Sequence, residues 1–211
     1  MMKQKIILAS QSKRRSAILT ACSIPHVVKP SRVKEARLGG VKPEIIVIKN
    51  AKAKARAVAK NINSGIVLGA DTLVFFKGRL IGKPRNKDGA KKMLRAFSGK
   101  KILVYSGLCL LDVDTGEETA GFDKTLLRIK EIPKKDIEKY FKLLGPYDKA
   151  GGFSIEGVGS IVFDDIQGSY FNVLGLPMGK LQGLFNKIQL DLLDFIQPNA
   201  KHYTCLPAGR R

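Results

Sequence analysis

The sequence predicts an α/β domain, because strand-like and helix-like segments alternate along the chain. Short aliphatic runs recur between longer stretches rich in alanine and lysine, and glycine, proline or asparagine stands at several boundaries. A long hairpin pattern near the middle argues against an all-parallel sheet. The chain has no internal repeat or low-complexity linker, so we expect one domain over residues 1–196 and a disordered tail over residues 197–211.

The first elements follow the order strand, polar turn, helix. Residues 5–9 (KIILA) are an apolar strand candidate, residues 10–12 are polar, and a helical pattern follows in which Ile18 and Leu19 face inward. This order places a polar turn at the amino end of a helix, where backbone N–H groups can hold an anion.

A long helix and a β-rich segment come next. A long helical stretch is predicted over residues 43–61, because its alanines and lysines favour helix, with Gly65 as the residue that stops it. Residues 66–74 return to β-type residues, with an interruption at residues 69–71. Asn86 is the expected N-cap of a further helix.

The second half of the chain begins with a hairpin pattern. Residues 102–112 and 118–129 are β-rich and flank a turn at residues 114–116. Residues 133–144, which begin with proline, are predicted to be helical. After a segment punctuated by glycines, residues 176–196 close the domain as a mostly helical stretch.

The charge of the chain is strongly positive and unevenly distributed. Its 38 basic and 18 acidic residues give a net charge of +20. Residues 1–101 hold 25 of the basic residues and four acidic ones, Glu35, Glu44, Asp71 and Asp88. A positive field of this kind attracts polyanions, either nucleic acid or a small phosphorylated substrate. The alternative explanation of this charge, which implies no function, is a lysine-rich surface exposed to solvent.

Two further features bear on the environment of the protein. No apolar run approaches the roughly 20 residues that a membrane-spanning helix needs, and the amino terminus lacks the pattern of a secretory signal. The sequence therefore predicts a cytoplasmic protein outside the membrane. Cys22, Cys109 and Cys205 are odd in number and irregularly spaced, which argues against a disulfide framework or a zinc site.

Asp71 is a candidate for chemistry because acidic residues are scarce in the first half. It follows an apolar strand candidate and the small residues Gly69 and Ala70, which would let a ligand approach closely. A carboxylate at the carboxyl end of a strand is a common metal ligand or general base. An aspartate in this position can also simply cap a turn.

Hydroxyl and cationic side chains at the strand-to-helix junctions are candidates for phosphate binding. Ser10, Ser12, Arg14 and Arg15 occupy the first turn, where they could hold phosphate oxygens together with helix N–H groups. Lys83 lies in a tight Gly-Lys-Pro turn. The later glycine-rich run DKAGGFSIEGVGS lacks the strand and helix of a dinucleotide-binding unit, so we reject that interpretation.

Seven sequence blocks occur in a fixed order between residue 6 and about residue 184: LASQSKRRSAIL, KARAVA, VLGADTLV, IGKP, MLRAFSG, DKAGGFSIEG and GSYFNVLGLPMGKL. Together they resemble the Maf family of nucleotide pyrophosphatases. The resemblance implies a catalytic domain over residues 1–196 with an elongated mixed β-sheet, flanking helices and two lobes around a central cleft, commonly as a homodimer. It also implies that a nucleoside triphosphate is cut between its α- and β-phosphates and that pyrophosphate is released.

The resemblance also implies a set of catalytic and metal-binding residues. Asp71 is expected to accept the proton of the attacking water, and Glu35 to join it in binding a divalent metal cation, Mg²⁺ or Mn²⁺. Lys54 and Lys83 match cations that hold the phosphates. Carboxylate oxygens are the ligands that Mg²⁺ prefers, and fixed positive charge suits the departing pyrophosphate.

The residues expected to bind the rest of the substrate come from three parts of the chain. Ser10 matches the hydroxyl of the family's first turn, and Arg14 matches a phosphate-holding cation, with Arg15 beside it. Thr72 and Glu156, together with Arg14, fall at positions associated with selection of the base. An ionised glutamate only accepts hydrogen bonds and so favours a base that presents N–H groups. Thr72 fits members that act on dTTP and UTP.

Several positions depart from the family pattern. Lys13 stands in place of a proline, Lys34 in place of an acidic residue, Ile102 in place of a histidine and Gly145 in place of a glutamate. Glu156 replaces the glutamine usual in members selective for dTTP and UTP. Because Thr72 fits the dTTP and UTP type, these two nucleotides are favoured despite that replacement over CTP or a modified guanosine triphosphate, which stay as alternatives.

Two functions outside this reaction also stay open. The net charge would suit a nucleic-acid-binding protein, although the chain has no recognisable binding motif, no tryptophan and no aromatic residues interleaved with its basic run. A family member with little catalysis that regulates cell division is the other alternative. The departures at Ile102 and Gly145 favour it, whereas Asp71, Glu35 and Lys83 argue against it.

Overall fold

The computed structural model describes residues 5–37, 40–144, 147, 151–152 and 154–197. Within these residues, seven strands form one mixed sheet with helices on both faces, which confirms the predicted α/β class. No helix in the described part of the chain is long and apolar enough to span a membrane. The predicted tail lies outside the described residues, except for Gln197.

The strands are β1 (Ile6–Leu8), β2 (His26–Val28), β3 (Ile66–Phe76), β4 (Arg79–Ile81), β5 (Lys101–Asp112), β6 (Glu118–Ile129) and β7 (Phe163–Gln167). Their order in the sheet is β2-β1-β3-β5-β6-β7, with β4 paired to the end of β3. β1 runs parallel to β2 and β3, and the other pairs are antiparallel. The sheet is therefore mixed, as expected.

The α-helices are α1 (Lys13–Ala21), α2 (Pro43–Ala59), α3 (Lys87–Phe97), α4 (Ile137–Leu144), α5 (Tyr170–Leu174) and α6 (Met178–Lys187). Short 3-10 turns cover Lys134–Asp136, Gly157–Val162 and Leu192–Phe195. Asn86 is the N-cap of α3, as predicted, and its Oδ1 accepts a hydrogen bond from the Gly89 N–H at 2.8 Å. Pro43 is the first residue of α2.

Two predictions in this region are wrong. Helix α2 ends at Ala59, two residues before the predicted helical stretch ends, so Gly65 is not the residue that stops it. Gly65 instead enters β3 with a positive φ of 109°. The predicted interruption at residues 69–71 is absent, and β3 runs unbroken through them. Asp71 therefore lies inside a strand and not at its carboxyl end.

The two faces of the sheet are covered differently. Helix α2 packs on one face, where its Ala51 and Ala55 meet β1 and β3. Residues of the other five helices belong to a larger core on the opposite face, which includes Leu19, Leu94 and Phe185. Alternate residues of each strand thus enter different layers.

Helix α2 approaches the sheet closely because two glycines face it. A Cβ atom built on Gly69 would overlap the Ala51 carbonyl oxygen, and one built on Gly107 would overlap the Val47 carbonyl group. Gly69 lies on β3 and Gly107 lies opposite Asp71 on β5. The pair lets the helix backbone lie against the sheet beside Asp71.

We expect Gly69→Ala to lower the free energy of unfolding by about 3 kcal/mol or more, because the added methyl group would push α2 off the sheet. Gly179→Ala is the matched control, since a Cβ at this α6 position meets no atom within 4 Å. It should change stability by no more than about 1 kcal/mol, in the stabilising direction. Urea denaturation followed by circular dichroism measures both, and equal effects would contradict the close approach of α2.

Candidate active site

A cleft opens where the sheet leaves part of β3 unpaired. On the edge of β3 opposite β5, the ladder with β1 ends at Leu68 and the ladder with β4 begins at Val74. Asp71 and Thr72 lie in this gap. The turn after β1 and the loop after β4 flank it, so the residues that line the cleft include Ser10 and Lys83.

The cleft has a volume of about 1950 Å³ and reaches both faces of the sheet. Asp71 and Leu73 point toward α2, whereas Thr72 and Val74 point toward the larger core. The part beyond Thr72 is walled by buried apolar residues, namely Val74, Leu94, Phe97, Ile102, Val104, Leu127, Ile155 and Val162. A polar part and an apolar part are thus joined at the unpaired edge of β3.

The polar part is organised by Lys54. Its Nζ donates to Asp71 Oδ1 and to Glu35 Oε1, both at 2.8 Å, and to the Ala70 carbonyl at 3.2 Å. Asn50 Nδ2 donates to Asp71 Oδ2 at 2.8 Å, so each oxygen of this buried carboxylate accepts one hydrogen bond. Asn50 and Lys54 lie one turn apart on α2 and reach the same strand residue.

The charges around Glu35 favour its ionised form. Partial burial is the largest single influence and raises the pKa of Glu35. The hydrogen bond from Lys54 and the positive charges of Lys54, Arg37 and Arg15 outweigh it, so the pKa lies below the ordinary value. Glu35 and Asp71 therefore present two carboxylates to one cation.

These two carboxylates could hold a divalent metal together with further oxygen ligands from a bound substrate and water. No group of three or more His, Cys, Asp or Glu side chains capable of holding a metal occurs among the described residues. Mg²⁺ is commonly held by one or two carboxylates together with substrate phosphates and water. Asp71 and Glu35 fit that pattern, and each of their oxygens can accept more than one hydrogen bond or metal contact.

Arg14 and Arg15 have different environments although they are neighbours. The Arg14 side chain is partly exposed and lies 3.6 Å from Glu156, whose carboxylate also accepts from Ser154 Oγ at 2.9 Å. Arg15 is buried, and desolvation lowers its pKa against the opposing charges of Asp71 and Glu35. Arg14 is therefore the arginine of this turn that the solvent reaches.

Arg15 connects three elements from inside the protein. Its Nη1 donates to Ser10 Oγ at 2.7 Å, its Nη2 to Thr72 Oγ1 at 2.9 Å and its Nε to the Gly175 carbonyl at 2.8 Å. Ser10 was expected to touch substrate, and in the structure its hydroxyl is already engaged by this guanidinium. Arg15 thus joins the first turn, β3 and the end of α5.

Basic residues dominate the lining of the cleft. Lys83 is exposed at the rim, and no ion pair joins it to an acidic side chain in the described part of the chain. Against the acidic residues Glu35 and Asp71, the lining includes Lys13, Arg14, Arg15, Arg32, Lys34, Arg37, Lys42, Lys54, Arg79 and Lys83. Such a surface attracts a polyanionic ligand.

The positions that depart from the family pattern lie in different environments. Lys13 and Lys34 line the cleft and add to its positive charge. Ile102 is buried in the apolar wall, where a histidine would have introduced a polar group. Gly145 lies outside the described residues, as does part of the glycine-rich run that follows it.

The structure brings most of the expected site residues together around one cleft. Glu156 reaches it through Arg14, whereas Arg15 faces inward. Asn50, Ser106 and Asn172 are polar contributors that the sequence analysis missed. All three are buried. Asn50 is hydrogen-bonded to Asp71, Ser106 to Thr72, and Asn172 to Ser106. Asn50 and Ser106 could have been found in the sequence, because each is a polar residue among the apolar positions of its predicted helix or strand.

Comparison with known proteins gives the relationships of the chain. A family profile described as Maf-like protein matches residues 5–188. A protein named dTTP/UTP pyrophosphatase from Methanosarcina barkeri is 38% identical over 192 residues, covering 90% of this chain and 98% of that protein. A protein of the same name from Bacillus cereus is 40% identical over 190 residues, with the same two coverages.

One solved structure also aligns with the chain. It is a nucleoside-triphosphatase, or dITP/XTP pyrophosphatase, from Mycobacterium abscessus, and the alignment covers 61% of this chain and 76% of that one. The identity is 18% and the TM-score is 0.38, which is too low to carry a conclusion.

The pH dependence of stability tests the arrangement around Glu35. A carboxylate with a lowered pKa stabilises the fold fully above its unfolded value, near 4.5, and this contribution disappears as the pH falls through the folded value. Glu35→Gln should therefore be less stable than the wild type at pH 7, with the difference shrinking below pH 4.5. Glu117→Gln, at an exposed turn, is the control for the loss of a carboxylate outside the cleft. A difference independent of pH would contradict the ionised pair.

Proposed function

The chain belongs to the Maf family, and we propose that it is a nucleoside triphosphate pyrophosphatase that acts in the Asp71 cleft. The observation that carries this proposal is the pair of carboxylates, Asp71 and Glu35, bridged by Lys54 inside a cleft lined with cations. Relatives at 38% and 40% identity that bear the name dTTP/UTP pyrophosphatase support it. The reaction converts a nucleoside triphosphate and water to the monophosphate and pyrophosphate.

Asp71 would act as the general base. Its two oxygens each accept one hydrogen bond from α2, which leaves acceptor capacity for a water molecule. The water oxygen bonds to the α-phosphorus, the bond to the bridging oxygen breaks, and the water proton passes to the carboxylate. Because Asn50 and Lys54 fix the carboxylate from two sides, it is held in one orientation for this transfer.

Cations of the cleft would stabilise the charge that develops on the departing pyrophosphate. Lys83 at the rim and the partly exposed Arg14 can reach phosphate oxygens directly. Lys54 is committed to the two carboxylates and would act on the phosphates only from its position between them. This division assigns binding to the exposed cations and positioning to the buried one.

We propose that Asp71 and Glu35 also hold a divalent metal, Mg²⁺ or Mn²⁺, in the presence of substrate. Oxygen donors of this kind match a hard cation. When bound, the metal supplies positive charge that polarises the phosphate oxygens. The residues of the chain then orient the nucleotide and receive the proton.

The nucleobase would occupy the apolar part of the cleft. Thr72 stands at its entrance, and Arg14 with Glu156 closes the side next to the first turn. A flat ring suits the aliphatic wall around Val104 and Leu127. The names of the relatives favour dTTP and UTP as the nucleotides accepted.

Two further properties are part of the proposal. We place the protein in the cytoplasm, with nucleotides rather than nucleic acid as its ligands. We also propose a homodimer, which is supported by the exposed apolar side chains Ile166, Tyr170 and Phe171 on and beside the edge strand β7. An exposed strand edge next to apolar side chains is a common place for two chains to associate.

Turnover of a panel of nucleoside triphosphates tests the reaction. With Mg²⁺ or Mn²⁺, we expect pyrophosphate and not single phosphate to be released, most rapidly from dTTP and UTP. Asp71→Asn should lower kcat by a factor of about 10³, because general-base catalysis contributes on the order of 10² to 10⁴. Removal of the metal with EDTA should abolish turnover.

Asp88→Asn is the matched control for this experiment, since Asp88 is exposed on α3 and away from the cleft lining. It should retain wild-type turnover. Absence of turnover for every nucleotide with the folded, metal-supplied protein would refute the proposed reaction. Salt-sensitive binding of DNA without turnover would instead favour the nucleic-acid alternative.

A further inference from the structure

The hydroxyl of Thr72 belongs to a closed ring of hydrogen bonds beneath the cleft. It accepts from Arg15 Nη2 at 2.9 Å and lies 2.9 Å from Ser106 Oγ. Ser106 Oγ donates to the Asn172 carbonyl at 2.9 Å. Arg15 Nε donates to the Gly175 carbonyl at 2.8 Å, and α5 connects Asn172 with Gly175, which closes the ring.

The chemistry of these groups fixes the direction of each bond. A guanidinium only donates, so Thr72 accepts from Arg15, and a carbonyl only accepts, so the single hydroxyl proton of Ser106 goes to Asn172. Ser106 Oγ can then contribute only a lone pair to Thr72. The Thr72 proton must therefore point at Ser106, because the contact has no other donor.

One hydrogen-bonding capacity is left on Thr72. A hydroxyl has one proton and two acceptor lone pairs. The proton is used by Ser106 and one lone pair by Arg15, so a ligand in the cleft meets only the remaining lone pair. In this arrangement Thr72 can accept a hydrogen bond from a nucleobase but cannot donate one.

We propose that Arg15, Ser106 and Asn172 are positioning residues that hold Thr72 as an obligate acceptor, and that the site thereby selects nucleobases presenting a ring N–H. This inference rests on the proposed function and identifies the feature of the substrate that is selected. Uracil and thymine carry a proton on N3, whereas neutral cytosine presents a bare lone pair there. Two lone pairs facing each other leave both groups unpaired, which disfavours cytosine.

The anchors of the ring are rigid, so the Thr72 proton has little freedom to turn. Asn172 is fully buried, and its Nδ2 donates to the Val104 carbonyl at 3.1 Å and to Thr125 Oγ1 at 2.9 Å. Gly175 has a φ of 98°, and a Cβ there would lie 2.9 Å from Thr72 Oγ1. Ser106 is likewise fully buried, so water cannot offer a competing acceptor from its side.

The acceptor role is tested first on the wild-type protein. UTP should be turned over with a kcat/KM about ten-fold or more above that of CTP and of N3-methyl-UTP, which lacks the ring proton, because one hydrogen bond is worth about that factor. Equal kcat/KM values for UTP and N3-methyl-UTP would overturn the inference. This measurement needs no variant to fold.

Ser106→Ala tests the role of the ring. Without the Ser106 lone pair, the Thr72 proton is free to turn to cytosine N3, so the UTP-to-CTP ratio of kcat/KM should fall about ten-fold through faster CTP turnover. Ser98→Ala is the matched control, because Ser98 also makes two hydrogen bonds, both to the Ile132 backbone, and none to the ring. It should lose comparable stability and keep the wild-type ratio.

Arg15→Lys separates the acceptor role of Thr72 from a charge effect. Arg15 occupies a lone pair of Thr72 and does not receive its proton, so Ser106 still holds that proton in this variant. The UTP-to-CTP ratio of kcat/KM should therefore stay near the wild-type value, even where turnover of both nucleotides falls. A ratio that drops as far as in Ser106→Ala, or an unchanged ratio in folded Ser106→Ala, would overturn the inference.

Binding measurements keep this inference distinct from the proposed reaction. Calorimetric titration with the α,β-methylene analogues of UTP and CTP, which cannot be cleaved between these phosphates, reports base selection without turnover. Tighter binding of the UTP analogue, lost in Ser106→Ala and kept in Ser98→Ala, supports the acceptor role even if catalysis were absent. Equal binding of the two analogues to the wild type would overturn it even if both nucleotides were hydrolysed.

Discussion

The close approach of α2 to the sheet is the constraint on which the site depends. Gly69 and Gly107 let the helix backbone lie against β3 and β5, and at this distance Lys54 reaches Asp71 and Glu35 together. Removal of either partner from a buried ion pair costs several kcal/mol, because the remaining charge has no solvent to compensate it. The packing of α2, the stability of the fold and the orientation of the proposed base therefore all depend on the absence of a side chain at Gly69 and Gly107.

Asp71 and Thr72 are adjacent but point to opposite faces of β3, so the proposed chemistry and the proposed base selection lie in different layers. One ligand can reach both because β1 pairs with β3 only up to Leu68 and β4 pairs with it only from Val74 onward, which leaves the intervening edge of β3 open. The cations of the site also fall into two groups, which differ in burial. Buried cations such as Lys54 organise the site, and exposed ones such as Lys83 attract the anion.

Much of the fold was predictable because its signals are local. Pro43 at the start of α2, Asn86 as a cap and the turn at residues 114–116 act through neighbouring backbone groups, and all three predictions are confirmed. The errors have a non-local origin. Gly69 looks like a strand breaker in isolation, but it is required there by a helix about twenty residues earlier in the chain. Three strands that were not predicted, β2, β4 and β7, are short and gain their order from the sheet. β4 and β7 pair with the longer strands β3 and β6, and β2 pairs with the equally short β1.

The sequence by itself determined the α/β class, the excess of positive charge and, through the family resemblance, the membership of Asp71, Glu35 and Lys54 in one site. The resemblance matched only Arg14 to a family position, and the residues themselves could not distinguish Arg14 from Arg15, because they are identical side chains at consecutive positions. Only the tertiary structure decided that one meets solvent and the other is enclosed, because the partners of Arg15 come from β3 and from the end of α5, 57 and 160 residues away. The direction of a hydroxyl proton depends on groups brought together by folding, and no local pattern in the chain encodes it.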